Sequence, residues 1–138
     1  MMRYLLVFLA LAGAVISTMA LHIHYSTATE PCSINDRWDC GIVNHSRYSE
    51  IAHIPVAAIG VGGYLLIGAF ALLRRRILLS GAAILGLAFA LRLSYIERNV
   101  LEVWCLYCVI SQGIIALVTL LSIAWLIAHE MSKSRTRK

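Results

Sequence analysis

The chain has 138 residues, 60% of them hydrophobic, and a mean hydropathy of +0.79, far above the roughly 45–50% apolar usage of soluble domains, so a soluble globular domain is excluded and an integral membrane protein indicated. A net charge of +5 would suggest a nucleic-acid partner in a soluble chain, but here the basic residues gather at the ends of apolar segments, where they set membrane orientation, and nucleic acid is set aside. Four cysteines leave structural disulfides, metal ligands and redox centres all open, and only their positions can choose among them.

Taken in order, the chain shows four apolar segments, at about 5–25, 55–73, 77–95 and 103–128, each near the roughly 20 residues that a spanning helix needs. The expected architecture is an all-α membrane protein. It is a single domain over 1–138, a four-transmembrane-helix bundle with an external loop over 26–54, including a short helix, capping one end and a basic tail over 129–138. The first segment follows Arg3 and looks superficially like a secretory leader, but no small-x-small cleavage site precedes Cys32, so it reads as a retained helix.

Within the loop, Cys32 and Cys40 flank Ser33-Ile34-Asn35-Asp36-Arg37-Trp38-Asp39, where Ser33 or Asn35 is suited to cap a helical turn. His22 and His24, near the outer end of the first helix, read as snorkelling side chains. Ser46, Ser49, His45 and His53 read most simply as solvated or interfacial. Pro55 opens the second segment, and Gly60, Gly62, Gly63 and Gly68 thin it so that a neighbouring helix or a flat ligand can approach closely.

Arg74-Arg75-Arg76 joins the second and third segments as a tight basic hairpin. With four crossings, Arg3, this hairpin and the tail residues Lys133, Arg135, Arg137 and Lys138 share one side, expected to be cytoplasmic. Six acids, Glu30, Asp36, Asp39, Glu50, Glu97 and Glu102, fall on the other. Arg92, one turn inside the third segment, calls for snorkelling or a partner such as Glu97 or Glu102. Trp38, Tyr48, Tyr95, Trp104 and Tyr107 read as an interfacial aromatic belt, with a minority reading in which some of the rings flank a planar ligand. The tail from Ser132 is expected to be a frayed polar end.

The topology puts all four cysteines at the external face. Cys105 and Cys108 open the last segment as Cys-x-x-Cys; in the first turn of a helix such residues have Cβ atoms about 5–6 Å apart, close enough for a reversible disulfide. A helix N-terminus favours thiolate over thiol, and Val109 in place of His excludes haem attachment. For Cys32 and Cys40 a static staple remains the plain alternative. A four-cysteine zinc site is disfavoured in an oxidising compartment with no soluble subdomain to hold, and no metal is expected.

The combination of Cys32 and Cys40 in the first external loop, Ser46 six residues later, Ile54-Pro55 followed by Gly60 and Tyr64, and Cys105-Leu106-Tyr107-Cys108 at the start of the fourth segment resembles the vitamin K epoxide reductase family over roughly residues 5–128. The resemblance implies a four-helix bundle around a quinone, ubiquinone or menaquinone. It makes Cys105 and Cys108 the catalytic pair, Cys32 and Cys40 the redox shuttle, and Ser46, with Tyr107 and Gln112, quinone-binding or supporting residues. It further implies Cys32–Cys40 and Cys105–Cys108 disulfides and a transient Cys40–Cys105 bond.

Many bacterial members continue into a thioredoxin-like domain. The sequence ends at Lys138, so the expected electron donor is a separate periplasmic thioredoxin-fold protein serving disulfide formation at a bacterial inner membrane, with both termini cytoplasmic. Members that reduce the epoxide carry Tyr four residues after the last Cys, where Gln112 stands, a departure that argues against epoxide reduction. The other quinone-linked disulfide oxidase family has the reverse order of cysteine pairs, and a non-enzymatic subunit with structural disulfides is the rival from another class. Chain reach makes Cys40 the internal relay, since Gly41-Ile42-Val43 is suited to lie back over Cys105, and puts Cys32 on the loop's outer surface for the partner.

Overall fold

A stripe of small residues on the first helix sets the packing of the bundle. In the computed structural model, which describes residues 1–27 and 32–137, helix α1 (Met2–Tyr25) turns Ala10, Gly13, Ala14 and Ser17 inward at helical spacing. They meet α3 (Val56–Leu72), where Gly60 faces Ser17 and Gly68 faces Ala10. Gly13 lies under the Tyr64 ring, leaving no room for a Cβ, and the Tyr64 hydroxyl is hydrogen-bonded to Ser111 on α5 (Leu106–Thr136), 2.8 Å from its carbonyl oxygen and 2.9 Å from its Oγ. One tyrosine therefore ties three helices together. Gly62 and Gly63 have nothing within 4 Å of where a Cβ would stand, so only half of the thinned face is used for helix contact.

Helix α4 (Arg76–Ile96) completes the bundle against α5. Thr119 donates to the Ala83 carbonyl across that contact at 3.2 Å, and Ile115 fills the notch at Gly86. The core contains Leu6, Ala10, Tyr64, Ile67, Leu79 and Val118. Phe8, Ile77, Leu85 and Leu120 point outward, each about two-thirds or more exposed. Apolar surface so extensive needs a partner, and lipid supplies one for helices of this length: α1, α4 and α5 are each long and apolar enough to cross a bilayer.

The second expected span, at 55–73, is shorter than anticipated. Pro55 adopts an extended conformation (φ −58°, ψ 132°) and belongs to a two-stranded hairpin of β1 (Glu50–Ile51) and β2 (Ile54–Pro55), leaving 17 residues for α3. The hairpin is also a small departure from an all-α fold. At its other end α3 stops in a Schellman arrangement, with Arg74 at φ 55° and Arg75 N–H reaching the Phe70 carbonyl at 3.0 Å.

The three arginines thus form the tight turn expected of them. Arg3, Arg74 and Arg76 converge beside Trp125, whose ring lies 4.7 Å under the Arg76 guanidinium. These three arginines lie at the end of the bundle opposite the cysteines.

Three expectations change at the helix ends. The tail from Ser132 does not fray; α5 runs on to Thr136, and Lys133 and Arg135 complement the negative end of its dipole. Arg92 is exposed and, among the described residues, joins no ion pair, because Glu97 turns inward. His24 does not snorkel: its side chain is 10% exposed and bridges the Asn44 carbonyl (2.6 Å) and the Glu50 carboxylate (3.1 Å). Glu30 and Lys138, assigned to opposite sides from their charge, lie outside the described residues.

Replacing Gly13 by Ala drives a methyl group into the Tyr64 ring. The expected cost is about 1–3 kcal/mol, read as a lowered thermal midpoint in detergent and as loss of the Tyr64–Ser111 bonds.

Candidate active site

Between Cys32 and Cys40 the chain forms no helical turn. Asn35 instead makes a tight turn, its Oδ1 accepting the backbone N–H groups of Arg37 (2.9 Å) and Trp38 (3.2 Å). This turn lies along the extended residues ahead of α5. Trp104 N–H donates to the Arg37 carbonyl at 2.8 Å, Asp39 N–H donates to the Trp104 carbonyl at 3.1 Å, and the Trp38 and Trp104 rings sit 6.4 Å apart.

The short helix α2 (Cys40–Asn44) begins one residue after this clamp, capped by Asp39 Oδ1 on Ile42 N–H at 3.1 Å. Cys40 therefore starts a helix rather than following one.

The result is a buried sulfur cluster. Cys32 and Cys40 form a disulfide with Cα atoms 5.8 Å apart, and both are packed with Ile23, Val43, Val103 and Cys105. Cys32, expected on the outer surface, is only 2% exposed, and Cys40 and Cys105 are fully buried.

Cys105 and Cys108 are free thiols. Cys105 is the residue capping α5, and its sulfur accepts the Cys108 backbone N–H at 3.4 Å. Asn44 Nδ2 reaches the same sulfur at 3.6 Å while also donating to the Cys40 carbonyl at 2.8 Å, so one amide spans the two pairs. Just outside the spanning helix, the Cys105 thiol is held below its ordinary range, chiefly by its hydrogen bond with Cys108, with burial opposing.

Beneath the sulfur cluster lies a cavity of about 410 Å³ with mostly apolar walls, within the range of pockets that hold small organic ligands. Cys108 forms part of its wall, with Ser46, Tyr48, Tyr107 and Phe89. Two of the five tyrosines and tryptophans assigned to an interfacial belt thus line the cavity, whereas Trp38 and Trp104 pair in the clamp and Tyr95 faces outward. Ser46 Oγ donates to the Val43 carbonyl at 2.8 Å, holding the turn that follows α2. Gln112 lies behind the wall, hydrogen-bonded to Ser94, which does line the cavity with Ser111.

Among the lining residues not identified from the sequence as part of a site are Asn44, His24 and Glu97. Glu97 is 2% exposed and accepts the Cys105 backbone N–H through Oε2 at 3.3 Å. Its signal in the sequence was an acid within a turn of a membrane segment's end, which also fitted an ion pair with Arg92. Among the described residues no group of three or more His, Cys, Asp or Glu side chains is placed to hold a metal ion.

The Asp39 cap is where the loop's stability meets the disulfide. Replacing Asp39 by Ala is expected to cost about 0.5–2 kcal/mol locally and, through easier local opening, to speed dithiothreitol reduction of Cys32–Cys40 by about 2- to 30-fold, followed by gel-shift alkylation. Unchanged kinetics would show that the cap does not govern access.

A bonded cysteine pair packed against a free pair, over an apolar cavity between membrane helices, is an arrangement for moving electrons through thiols. The profile of the vitamin K epoxide reductase family matches residues 4–123, which takes in every cysteine and all four long helices up to Ile123 of α5. The chain belongs to the vitamin K epoxide reductase family and is a membrane oxidoreductase.

Proposed function

We propose that this protein is a quinone-dependent thiol–disulfide oxidoreductase of a bacterial inner membrane, which reoxidises a periplasmic thioredoxin-fold protein and so supports disulfide formation. The observation that carries this reading is the continuity of the sulfur path. Cys105 packs with the Cys32–Cys40 disulfide, and Cys108, one helical turn on, forms part of the cavity wall. The walls suit a flat apolar ring, with Tyr48, Tyr107 and Phe89 to contact its faces and Asn44, Ser46 and His24 as polar neighbours. A quinone held there supplies a sink for two electrons and two protons.

The chain's own steps are thiol–disulfide exchanges, each breaking one S–S bond as it forms another. A partner thiolate attacks Cys32, releasing Cys40, and the partner's second thiol then frees Cys32 as the partner becomes oxidised. Cys40 attacks Cys105 of the Cys105–Cys108 disulfide, releasing Cys108. Cys32 next attacks Cys40, which restores Cys32–Cys40 and leaves Cys105 and Cys108 reduced. That is the bonding pattern of this structure.

Reclosure of Cys105–Cys108 would release two electrons and two protons, for which a quinone held in the cavity would be the acceptor. Because Cys32 is buried, the partner reaches it only through a local opening of the loop. An arrangement of four crossings, with the arginine turn cytoplasmic and the cysteines periplasmic, is supported by the four apolar helices and by the excess of basic residues at the end away from the cysteines.

Purified protein given the reduced partner is expected to consume a water-soluble quinone analogue with a requirement for all four cysteines. The Cys32→Ser, Cys108→Ser double variant, lacking both resolving thiols, is expected to accumulate a Cys40–Cys105 bond found by peptide mapping. A Cys32–Cys105 bond as the dominant species in otherwise unmutated protein would reverse the relay, and no quinone consumption would sink the reading. For orientation, Arg75→Cys in intact cells is expected to resist a membrane-impermeant maleimide; labelling from outside would overturn the proposed sidedness.

A further inference from the structure

The wide turn that ends α4 brings a carboxyl group to the backbone of Cys105 and into the wall of the cavity. Residues Glu97–Leu101 form a π-helical turn, closed by Glu102 in the left-handed region at φ 56°. Such turns are uncommon and recur at functional sites. Here the turn buries Glu97 while Arg98 and Asn99 stay exposed.

Glu97 is the one buried acid among the described residues. No cation neutralises it: the ion pairs among those residues are His24–Glu50 and His129–Glu130. Burying a carboxyl at the end of a membrane helix is costly without a compensating role. Its hydrogen bond is with the Cys105 backbone N–H at 3.3 Å, and it lines the cavity together with Cys108.

Resting on the quinone reading above, we propose that Glu97 is the proton-transfer residue of the cysteine pair, taking the thiol proton of Cys108 as that sulfur gives up its electrons and passing it to an oxygen of the quinone that receives them. The balance closes. Oxidation of the pair breaks two S–H bonds and forms the Cys105–Cys108 S–S bond, releasing two electrons and two protons. Both electrons go to the quinone. The Cys108 proton travels through Glu97, the Cys105 proton leaves to water, and water returns one proton to the second quinone oxygen. Cys105 can lose its proton without Glu97, since the Asn44 amide and the Cys108 backbone N–H both point at its sulfur. Cys108 shares the wall of an apolar cavity with the Glu97 carboxyl, the one acid among its lining residues.

Glu97→Gln separates this role from a structural one, because the glutamine side-chain oxygen still accepts the Cys105 N–H but takes no proton. Pre-reduced variant mixed with a water-soluble quinone analogue is expected to oxidise about 10²-fold more slowly or worse, while circular dichroism and the Cys32–Cys40 bond stay unchanged. Independently of quinone, the infrared difference spectrum between dithiothreitol-reduced and diamide-oxidised wild-type protein is expected to show a carboxyl band that shifts in deuterium oxide and vanishes in Glu97→Gln.

Wild-type oxidation rates in the variant, or a difference spectrum without a carboxyl band, overturn the proposal. Should the variant fail to fold, the wild-type spectrum decides alone, since no other described acid is buried. Failure of the wild type itself to react with any quinone analogue sinks the quinone reading and the second transfer with it, while the band still decides whether Glu97 exchanges a proton with the pair.

Discussion

Two backbone hydrogen bonds between the Arg37–Asp39 stretch and Trp104 hold the redox centre together. They are short pieces of extended chain paired across about 65 residues of sequence, and they fix the loop to the start of α5 as the His24 bonds to Asn44 and Glu50 fix it to α1. Asp39 takes part twice, donating its N–H to Trp104 and accepting that of Ile42. The same residue thus docks the loop and starts the helix that carries Cys40. A disulfide exchange needs sulfur atoms nearly in contact, and a loop free to drift would lose most encounters to conformational entropy. The clamp removes that freedom before chemistry begins.

The cavity exists because the helices pack closely on one side and not on the other. Small residues let α1 and α3 meet along Ala10, Gly13 and Ser17, a contact driven by van der Waals packing, since lipid offers no hydrophobic gain for helix association. Tyr64 wedges into that contact and braces α5 through Ser111. Space is left toward the cysteine end, where α1, α3, α4 and α5 all contribute to the walls and the α2 turn lies across it. Gly63, with nothing within 4 Å of where a Cβ would stand, lines the space instead.

Polar groups at this end form a graded set. Asn44 spans both cysteine pairs through its amide, His24 supports Asn44 from α1, and Glu97 approaches from α4 through the wide turn. Each is buried or nearly so, and each is satisfied by a partner in this cluster. In a low-dielectric setting such networks are stiff, because any member that swings away leaves a costly unsatisfied group behind. The thiols therefore work within a fixed field, and the Cys105 sulfur receives donors from two sides.

The sequence alone determined the apolar segments, the position of the arginine turn, the placing of Cys-x-x-Cys at the start of the last helix and the family. Each depends on local composition, on spacing along one chain direction, or on motif order. It did not determine that the loop forms an Asn35 turn rather than a Ser33-capped helix, since both residues suit either and the Trp104 pairing decides between them. Nor could it tell that Glu97 faces Cys105 rather than Arg92. At a helix end one wide turn rotates every following side chain, and that turn depends on what the neighbouring helix and the buried cysteines offer. His24 follows the same rule: an outer-end histidine snorkels by default, and only the docked α2 turn, with its free Asn44 carbonyl, draws the ring inward. The segment pattern belongs to the chain, whereas the direction of each polar side chain at the site is set by partners that only the folded bundle brings within reach.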